Sequence, residues 1–331
     1  MSRRVAAAFA VVYVVWGSTY LAIRYAVATL PPFLLAGSRY LLAGALLYGW
    51  ARWRGAPRPD RRAWLPAVGL GVLFIPLGNG LLVWAEERVP SSLAALIAAG
   101  IPLWVALFER LTPGGSRLGA SRTIGLLLGF MGVALLVGGN PLQPGPAPAG
   151  RSLAVAAASV TSALGIVLLR RARLPGGPAM TSAMPMLAGG AMALLVAAGT
   201  GEVPALDLAR VSVSSAAAWA YLVLFGSILG FTCFAWLVTH VAPSRAATHA
   251  YVNPVVALGL GAWLGGETVG WRALAATPVI LLGLLLVLRE GPRSDRGGEQ
   301  VAWPRGPRQR ILRSDTVCRP DAPSAARAPT G

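Results

Sequence analysis

VAPSRAATHAYVNP (241–254) and VPSSLAALIAAGIP (89–102) lie 152 residues apart and decide how the chain is read. Val, Ser, three alanines and the closing proline coincide in register. Extending the comparison upstream pairs Gly78 with Gly230 and Trp84 with Trp236, giving 8 identities in 25 ungapped positions. Segments rich in Ala, Leu and Gly resemble one another by chance, but Trp, Ser and Pro falling in the same order argues for duplication. Neighbouring shifts carry the match further. Arg24 meets Arg170, Leu42-Ala43-Gly44 meets Leu187-Ala188-Gly189, and Gly132 meets Gly283. The chain therefore divides into a first repeat, 5–138, a second repeat, 151–288, and a remainder, 289–331.

Composition says where such repeats live. Of 331 residues, 55% are hydrophobic and 12% charged, against about 25% charged in soluble domains. Apolar runs of about 18 residues or more read as membrane spans. Ten are expected, at 5–27, 31–50, 63–85, 92–111, 119–138, 151–170, 180–199, 215–239, 244–264 and 270–288. The fold class is thus an all-α polytopic membrane protein with five helices per repeat. The opening MSRR precedes a first span rather than a cleaved signal peptide, because no small-residue cleavage site leads into a soluble domain.

Charge placement tests the count. There is no lysine, and the formal charge of +17 comes from 29 arginines. Alternate loops divide them 23 to 4, with Arg24 and Arg39 inside spans. The rich side takes Arg3, Arg4, Arg245 and the tail; the poor side takes Arg88, Arg151, Arg210 and Arg272. The positive-inside rule then puts both termini in the cytoplasm. Arginines spread over short loops and a tail serve orientation and anionic lipid, so a nucleic-acid partner is not expected. The tail is rich in Arg, Pro, Ser and Gly and lacks an apolar run, the composition of a disordered segment. Cys233 and Cys318 make no disulfide framework.

Five is odd, so two repeats of five helices enter the bilayer in opposite directions. Inverted repeats with a site at their interface are a common plan of secondary transporters.

The motifs WGSTYLAIRYAV (16–27), LLAGSRYLLAGALL (34–47), VPSSLAALIAAGIPLW (89–104) and VAPSRAATHAYVNPVVALGLGAWLGGE (241–267) resemble EamA-type permeases of the drug/metabolite transporter superfamily. The resemblance covers residues 5–288. It implies ten helices in two inverted repeats, export of small metabolites such as amino acids or drugs, and a central cavity lined by the first, third and fourth helices of each half. It implies no cofactor. Two departures stand out. The family's Gly-Glu pair after the fourth helix survives in the second repeat as Gly266-Glu267, whereas in the first repeat Glu109 is displaced into FER; and Ser162 stands where the sixth helix commonly carries a Trp.

Candidate site residues follow from polarity within spans. Pro102 and Pro254 sit near the midpoints of the fourth and ninth spans, where a proline breaks the hydrogen-bond ladder. Freed carbonyls at that depth are tolerated where they face protein or a water-filled cavity. His249, Tyr251 and Asn253 have no polar counterparts in the first half and form the strongest cluster, with Asn253 and His249 on one side of the helix and Tyr251 roughly opposite. Each has a bland alternative as a hydrogen-bonded packing residue, as polar groups in membranes also cross-link helices. Trp16, Ser18 and Thr19 offer an aromatic face and hydroxyls from the first span, Asn79 an amide from the third, and Arg39 a deep cation for an anionic group. Trp84 and Trp236 lie near span ends and read as interfacial belt. The Gly125/Gly129, Gly226/Gly230 and Gly261/Gly265 pairs read as helix-packing motifs, extending to a homodimer.

An intramembrane enzyme is disfavoured: the sequence offers no paired mid-span carboxylates, no metal-spacing His/Cys cluster and no Ser-His constellation. The expected function is a secondary transporter of the cytoplasmic membrane, exporting small amino-acid-like or amphipathic solutes by alternating access. The alternatives are import or exchange of organic anions through Arg39, and a non-transporting sensor or scaffold.

Overall fold

The computed structural model describes residues 2–89, 94, 97–112, 119–137, 149–172, 174–265 and 271–289. The Gly266-Glu267 pair and the tail from residue 290 lie outside them, as does the packing of Gly261 and Gly265. All regular structure among the described residues is helical. The long elements are α1 (Arg3–Ala26), α2 (Pro32–Trp53), α3 (Arg61–Glu86), α4 (Ile101–Leu111), α5 (Ala120–Val137), α6 (Ala149–Arg171), α7 (Gly177–Gly199), α8 (Val213–His240), α9 (Pro243–Ala246 and His249–Gly265) and α10 (Trp271–Arg289). Among the described residues five helices are long and apolar enough to cross a membrane, in α1, α3, α6, α7 and α8. Helix α2 has the length but carries Arg39 within it, and the fourth and ninth intervals are interrupted by turns.

Local chemistry explains the helix starts. Asp60 accepts from Ala63 N at 2.8 Å and Ser212 from Ser215 N at 3.1 Å, each satisfying an otherwise orphaned amide. Pro32, Pro102, Pro178 and Pro243 stand in first turns, where the missing N–H costs nothing. The breaks fall where apolar runs meet these prolines. Turns at Ala99-Gly100 and at Ala247-Thr248 interrupt the fourth and ninth intervals. Pro102 begins the helix after its turn, whereas Pro254 lies inside the helix that His249 starts.

Helices α3 and α8 each widen into a π segment, at Ile75–Gly80 and Leu222–Phe231. Shifted by 152, residues 75–79 fall on 227–231, so both repeats carry the irregularity at overlapping positions. π turns in α-helices are frequent at functional sites.

Small residues set the directions in which helices pack. A Cβ on Gly44 would lie 2.8 Å from Leu187 N, and one on Gly190 2.6 Å from Leu41 N. Rising numbers on α2 therefore meet falling numbers on α7, and the two run antiparallel. Helices α5 and α10 do the same: Gly129 meets Gly283, and Gly132 meets Ile280. Helices α1 and α9 run parallel, with Tyr13 against Thr248 at 2.7 Å and Gly17 against Val256. Gly125, Gly129, Gly226 and Gly230 are all consumed by contacts within the molecule.

The main core joins α1 through α4 and α6 through α9, around the fully buried Met180, Met184 and Met186. Large apolar side chains are exposed on the outside, among them Leu46, Leu107, Leu127, Leu195, Leu224 and Leu282. So much apolar surface is a liability in water and is satisfied by lipid.

Polar ties distinguish the two ends of the bundle. At the arginine-rich end Glu109 accepts from Ser244 N at 3.0 Å, and Arg170 donates to Val241 O at 2.8 Å. At the opposite end Arg151 pairs with Glu87 at 2.8 Å and also donates to the carbonyl of Trp84, over whose ring it lies at 3.9 Å. There too Ser215 donates to Tyr25 O at 2.7 Å, and Leu34 N donates to Glu202 at 2.8 Å. Glu202 lies outside the spans. Burial pushes its carboxyl above the usual range, while the Leu34 and Phe33 amides pull the other way. A raised carboxyl favours the protonated folded form, so this contribution to stability is full below the unfolded titration and is lost as pH rises through the folded one. Glu202→Gln keeps an acceptor and cannot ionise. Its thermal midpoint should fall less than that of the parent between pH 5 and pH 8; parallel curves would contradict the assignment.

Candidate solute cavity

The turn at Ala247-Thr248 makes His249 the first residue of the longer α9 segment. Its Nδ1 donates to Ala246 O at 3.0 Å, which sets the tautomer and leaves Nε2 as the free ring nitrogen. The ring stands edge-on to Trp16 at 4.7 Å and to Phe234 at 5.4 Å. Trp16 is itself fixed by Nε1, which donates to the carbonyl of Gly226 at 3.0 Å within the π segment of α8. Phe231 lies 6.4 Å from Trp16 and edge-on to Phe74 at 5.4 Å. Aromatic groups from α1, α3, α8 and α9 thus form one wall.

Polar groups form the rest. Asn253, one turn beyond His249, is 5% exposed; its side chain neighbours the Tyr20 hydroxyl, and its Oδ1 has no partner. Asn79 lies in the π segment of α3, and its Oδ1 is likewise buried without a partner. Arg39 is 3% exposed. Its Nη2 donates to the Tyr40 hydroxyl at 2.6 Å and its guanidinium covers the Tyr40 ring at 4.3 Å, while Nε and Nη1 are unpartnered. Glu86, the last residue of α3, has Oε1 buried without a partner. Thr19 bonds back to Trp16 O at 2.7 Å and presents its methyl group to Gly226.

These residues surround a cavity of about 1030 Å³ of empty space, counting its open mouth, lined from α1, α2, α3, α4, α6, α8 and α9. Its position along the bundle is uneven. In α1 the lining begins at Trp16, in α3 at Phe74 and in α9 at His249; in α4 it ends at Ile101, in α6 at Ile166 and in α8 at Phe234. In α1 and α3 the boundary falls near the helix midpoint, whereas in α6, α8 and α9 it leaves out only 167–171, 235–240 and 243–248 at the arginine-rich end. The cavity thus runs from Glu86 past the middle of the bundle and stops short of the arginine-rich end.

Of the residues singled out in the sequence, Trp16, Thr19, Arg39, Asn79, His249 and Asn253 come together around this space. Ser18 and Tyr251 do not. Ser18 donates to Val15 O at 2.7 Å and meets the Tyr221 hydroxyl at 2.6 Å, facing α8. Tyr251 is fully buried on the far side of α9, against Gly129, and its hydroxyl donates to Leu126 O at 2.8 Å. Trp84 lies under Arg151, and Trp236 stacks on His240 at 3.9 Å; neither lines the cavity. Sequence reasoning did not gather Tyr40, Phe74, Phe231 and Phe234. The glycine pair Gly78/Gly230 was the available signal, since both glycines lie in π segments beside this wall.

The EamA-like transporter family model matches residues 4–138 and again residues 151–289. The chain belongs to the EamA-like transporter family. It is 38% identical over 277 residues to the inner membrane transporter YedA of Escherichia coli strain K12, covering 83% of this chain and 87% of YedA. It is 27% identical over 285 residues to the protein PecM of Dickeya dadantii, covering 82% of this chain and 88% of PecM. A chain of known crystal structure shares the fold with a TM-score of 0.72 at 23% identity, covering 86% of this chain and 96% of that one. The protein is a multi-pass membrane transporter of the cell membrane.

Proposed function

We propose that this family member is a secondary transporter that exports small amino-acid-like or amphipathic solutes, by alternating access of one central cavity. Ten membrane-crossing helices form two inverted repeats of five, with both termini and the arginine-rich end in the cytoplasm. The observation that carries the reading is a cavity built from both repeats that reaches Glu86 and stops short of the arginine-rich end, where Glu109–Ser244, Tyr13–Thr248 and Arg170–Val241 tie the helices together. In this reading the structure is the outward-facing state. The antiparallel pairing of α2 with α7 and of α5 with α10 supports inverted repeats, since each pair joins equivalent helices. Export rather than import rests on the family resemblance. The partners are the solute, the lipid bilayer and a second copy of the chain; nucleic acid has no role.

The test is a resistance and metabolite-efflux profile of cells expressing the protein, beside His249→Ala and Asn253→Ala. At least one variant is expected to lose efflux by tenfold or more while reaching the membrane at the parent's level. Parent-like efflux from both would remove the His249 end of the cavity from the transport path. Import or exchange of organic anions is the second reading, favoured by the unpartnered face of Arg39; uptake assays in the same cells distinguish the two.

A further inference from the structure

Three contacts tie the closed end of the cavity: Glu109–Ser244, Tyr13–Thr248 and Arg170–Val241. The internal repeat shows which of them has a twin. At the 152-residue shift Glu109 is matched by Gly261 and Thr248 by Leu96, so neither of those side-chain bonds can recur. The third keeps both partners. Arg170 is matched by Arg24, and Val241 by Val89. Their places in the fold agree as well. Arg170 lies in the last turn of α6 and Arg24 in the last turn of α1, the first helices of the two repeats. Val241 follows the end of α8, and its amide donates to Leu237 O at 2.9 Å; Val89 follows the end of α3, and its amide donates to Ala85 O at 2.9 Å. The same 152-residue shift sets Ala85 against Leu237, so the two valine carbonyls occupy matching positions beyond their helices.

One of the twin bonds is made and the other is not. Arg170 donates to Val241 O at 2.8 Å at the closed end. Arg24 is exposed, and among the described residues it makes no hydrogen bond or ion pair. The end of α1 is held by the start of α8 instead, where Ser215 donates to Tyr25 O at 2.7 Å and Ser212 N to the Thr29 hydroxyl at 3.4 Å. The arginine nearest the end of α3 in this state is Arg151, and it is committed to Trp84 O and Glu87. A guanidinium beside the last carbonyls of a helix is favourable on two counts: those carbonyls lack partners within the helix, and the helix dipole places negative charge there.

We propose that Arg24 is a positioning residue of the transport cycle, the latch of the cavity's mouth: when the mouth shuts, its guanidinium donates to Val89 O, as Arg170 donates to Val241 O at the end now closed. Inverted repeats alternate by rocking against one another about a fixed site, so a contact broken at one face has its equivalent made at the other. Opening the arginine-rich end releases Arg170, and the same motion brings the last turn of α1 to the end of α3. Arg24 therefore stabilises a state in which Arg170 is free, and Arg170 one in which Arg24 is free.

The inference rests on the alternating-access reading, and its test separates the two without any solute. The full chain, with Cys233→Ser and Cys318→Ser, carries spin labels on Val27→Cys and Arg88→Cys and is measured by electron–electron double resonance in lipid nanodiscs. The labels report the gap between the end of α1 and the turn after α3. Two distances are expected, a long one from the state described and a short one from the shut mouth. Arg170→Ala should raise the short-distance population at least about threefold, the weight of one modest hydrogen bond. Arg24→Ala alone should lower it by a similar factor, and Arg24→Ala added to Arg170→Ala should return it to the parent's level, because each state has then lost one bond. Arg24→Lys, which keeps a cationic donor, should preserve most of the population that Arg24→Ala removes. A residue that merely supported α1 would lower the thermal midpoint and leave the ratio of the two distances alone. The proposal is overturned if Arg24→Ala leaves the short-distance population unchanged or raises it, alone or beside Arg170→Ala; alternating access then stands, with the mouth closed by other groups. A single long distance in every variant removes alternating access, and the latch with it.

Discussion

Gly71→Val should leave little folded protein. An added Cβ at Gly71 would lie 2.5 Å from Pro185 O and 2.7 Å from Gly189 N, both backbone atoms of α7. Flexible side-chain ends yield to such an intrusion, but two helix backbones must separate. Separation here pulls α3 from α7 next to Met184 and Met186, which are fully buried. Overpacking commonly costs about 1–3 kcal/mol, and this contact belongs at or beyond the upper end because backbone is opposed on both sides. Whole domains are stable by only about 5–15 kcal/mol. The expected readout is loss of the monodisperse peak in detergent, or a fall in thermal midpoint far larger than that of Gly49→Val, where nothing lies within 4 Å of the added Cβ. Equal behaviour of the two variants would mean that α3 and α7 are not packed as described.

Much of this was readable in the residues. The 152-residue shift located both helix interruptions to within a turn or two, because Pro102 and Pro254 leave few other places for a break. Polarity within apolar spans found six of the cavity's residues, since a buried Asn, His or Arg without a nearby partner in sequence has few other uses. What failed depends on rotation about a helix axis. Tyr251 was expected opposite His249 and is so, which takes it out of the cavity and onto Leu126 O. Ser18 faces the same way as its bonding partner Tyr221 on α8, information that no local pattern contains. The π segments were invisible for a related reason: an extra residue per turn changes which side chains point inward without changing composition. That is why Phe231 and Phe234 joined the wall unannounced. Pro254, expected at the break itself, sits in the helix beyond it, because the chain turns earlier, at Ala247-Thr248, where small residues permit it.

Symmetry and asymmetry divide the labour between scaffold and chemistry. The paired prolines and the glycines of the π segments recur in both repeats, and the antiparallel pairs join equivalent helices of the two. His249 and Asn253 have no polar counterparts in the first half, where Ile97 and Ile101 stand. A duplicated frame that exchanges two conformations needs equivalent joints, whereas a solute without internal symmetry needs different contacts on its two sides.

Glu109→Ala should make the cavity reachable from the arginine-rich end. Glu109 is 9% exposed in the last turn of α4, and its carboxylate receives Ser244 N at 3.0 Å, at the start of α9. It therefore ties the fourth helix of one repeat to the ninth helix at the closed end of the cavity. A carboxylate accepting backbone amide at a helix start is a charge-assisted bond. Deleting it leaves a buried N–H unpaired, at a cost of about 1–3 kcal/mol. If that bond breaks when the seal opens, the cost falls on the sealed state alone and the open state gains by the same amount. At about 1.4 kcal/mol per factor of ten, the open population rises about fivefold to hundredfold. The measurement uses Ala250→Cys, a cavity position, in a background with Cys233→Ser and Cys318→Ser. A membrane-impermeant thiol reagent applied from the arginine-rich side should label it at least about fivefold faster with Glu109→Ala than without. Glu109→Gln, which keeps an uncharged acceptor, should fall between the two. Unchanged labelling in Glu109→Ala would mean that this contact holds the helix start in both states and takes no part in the seal.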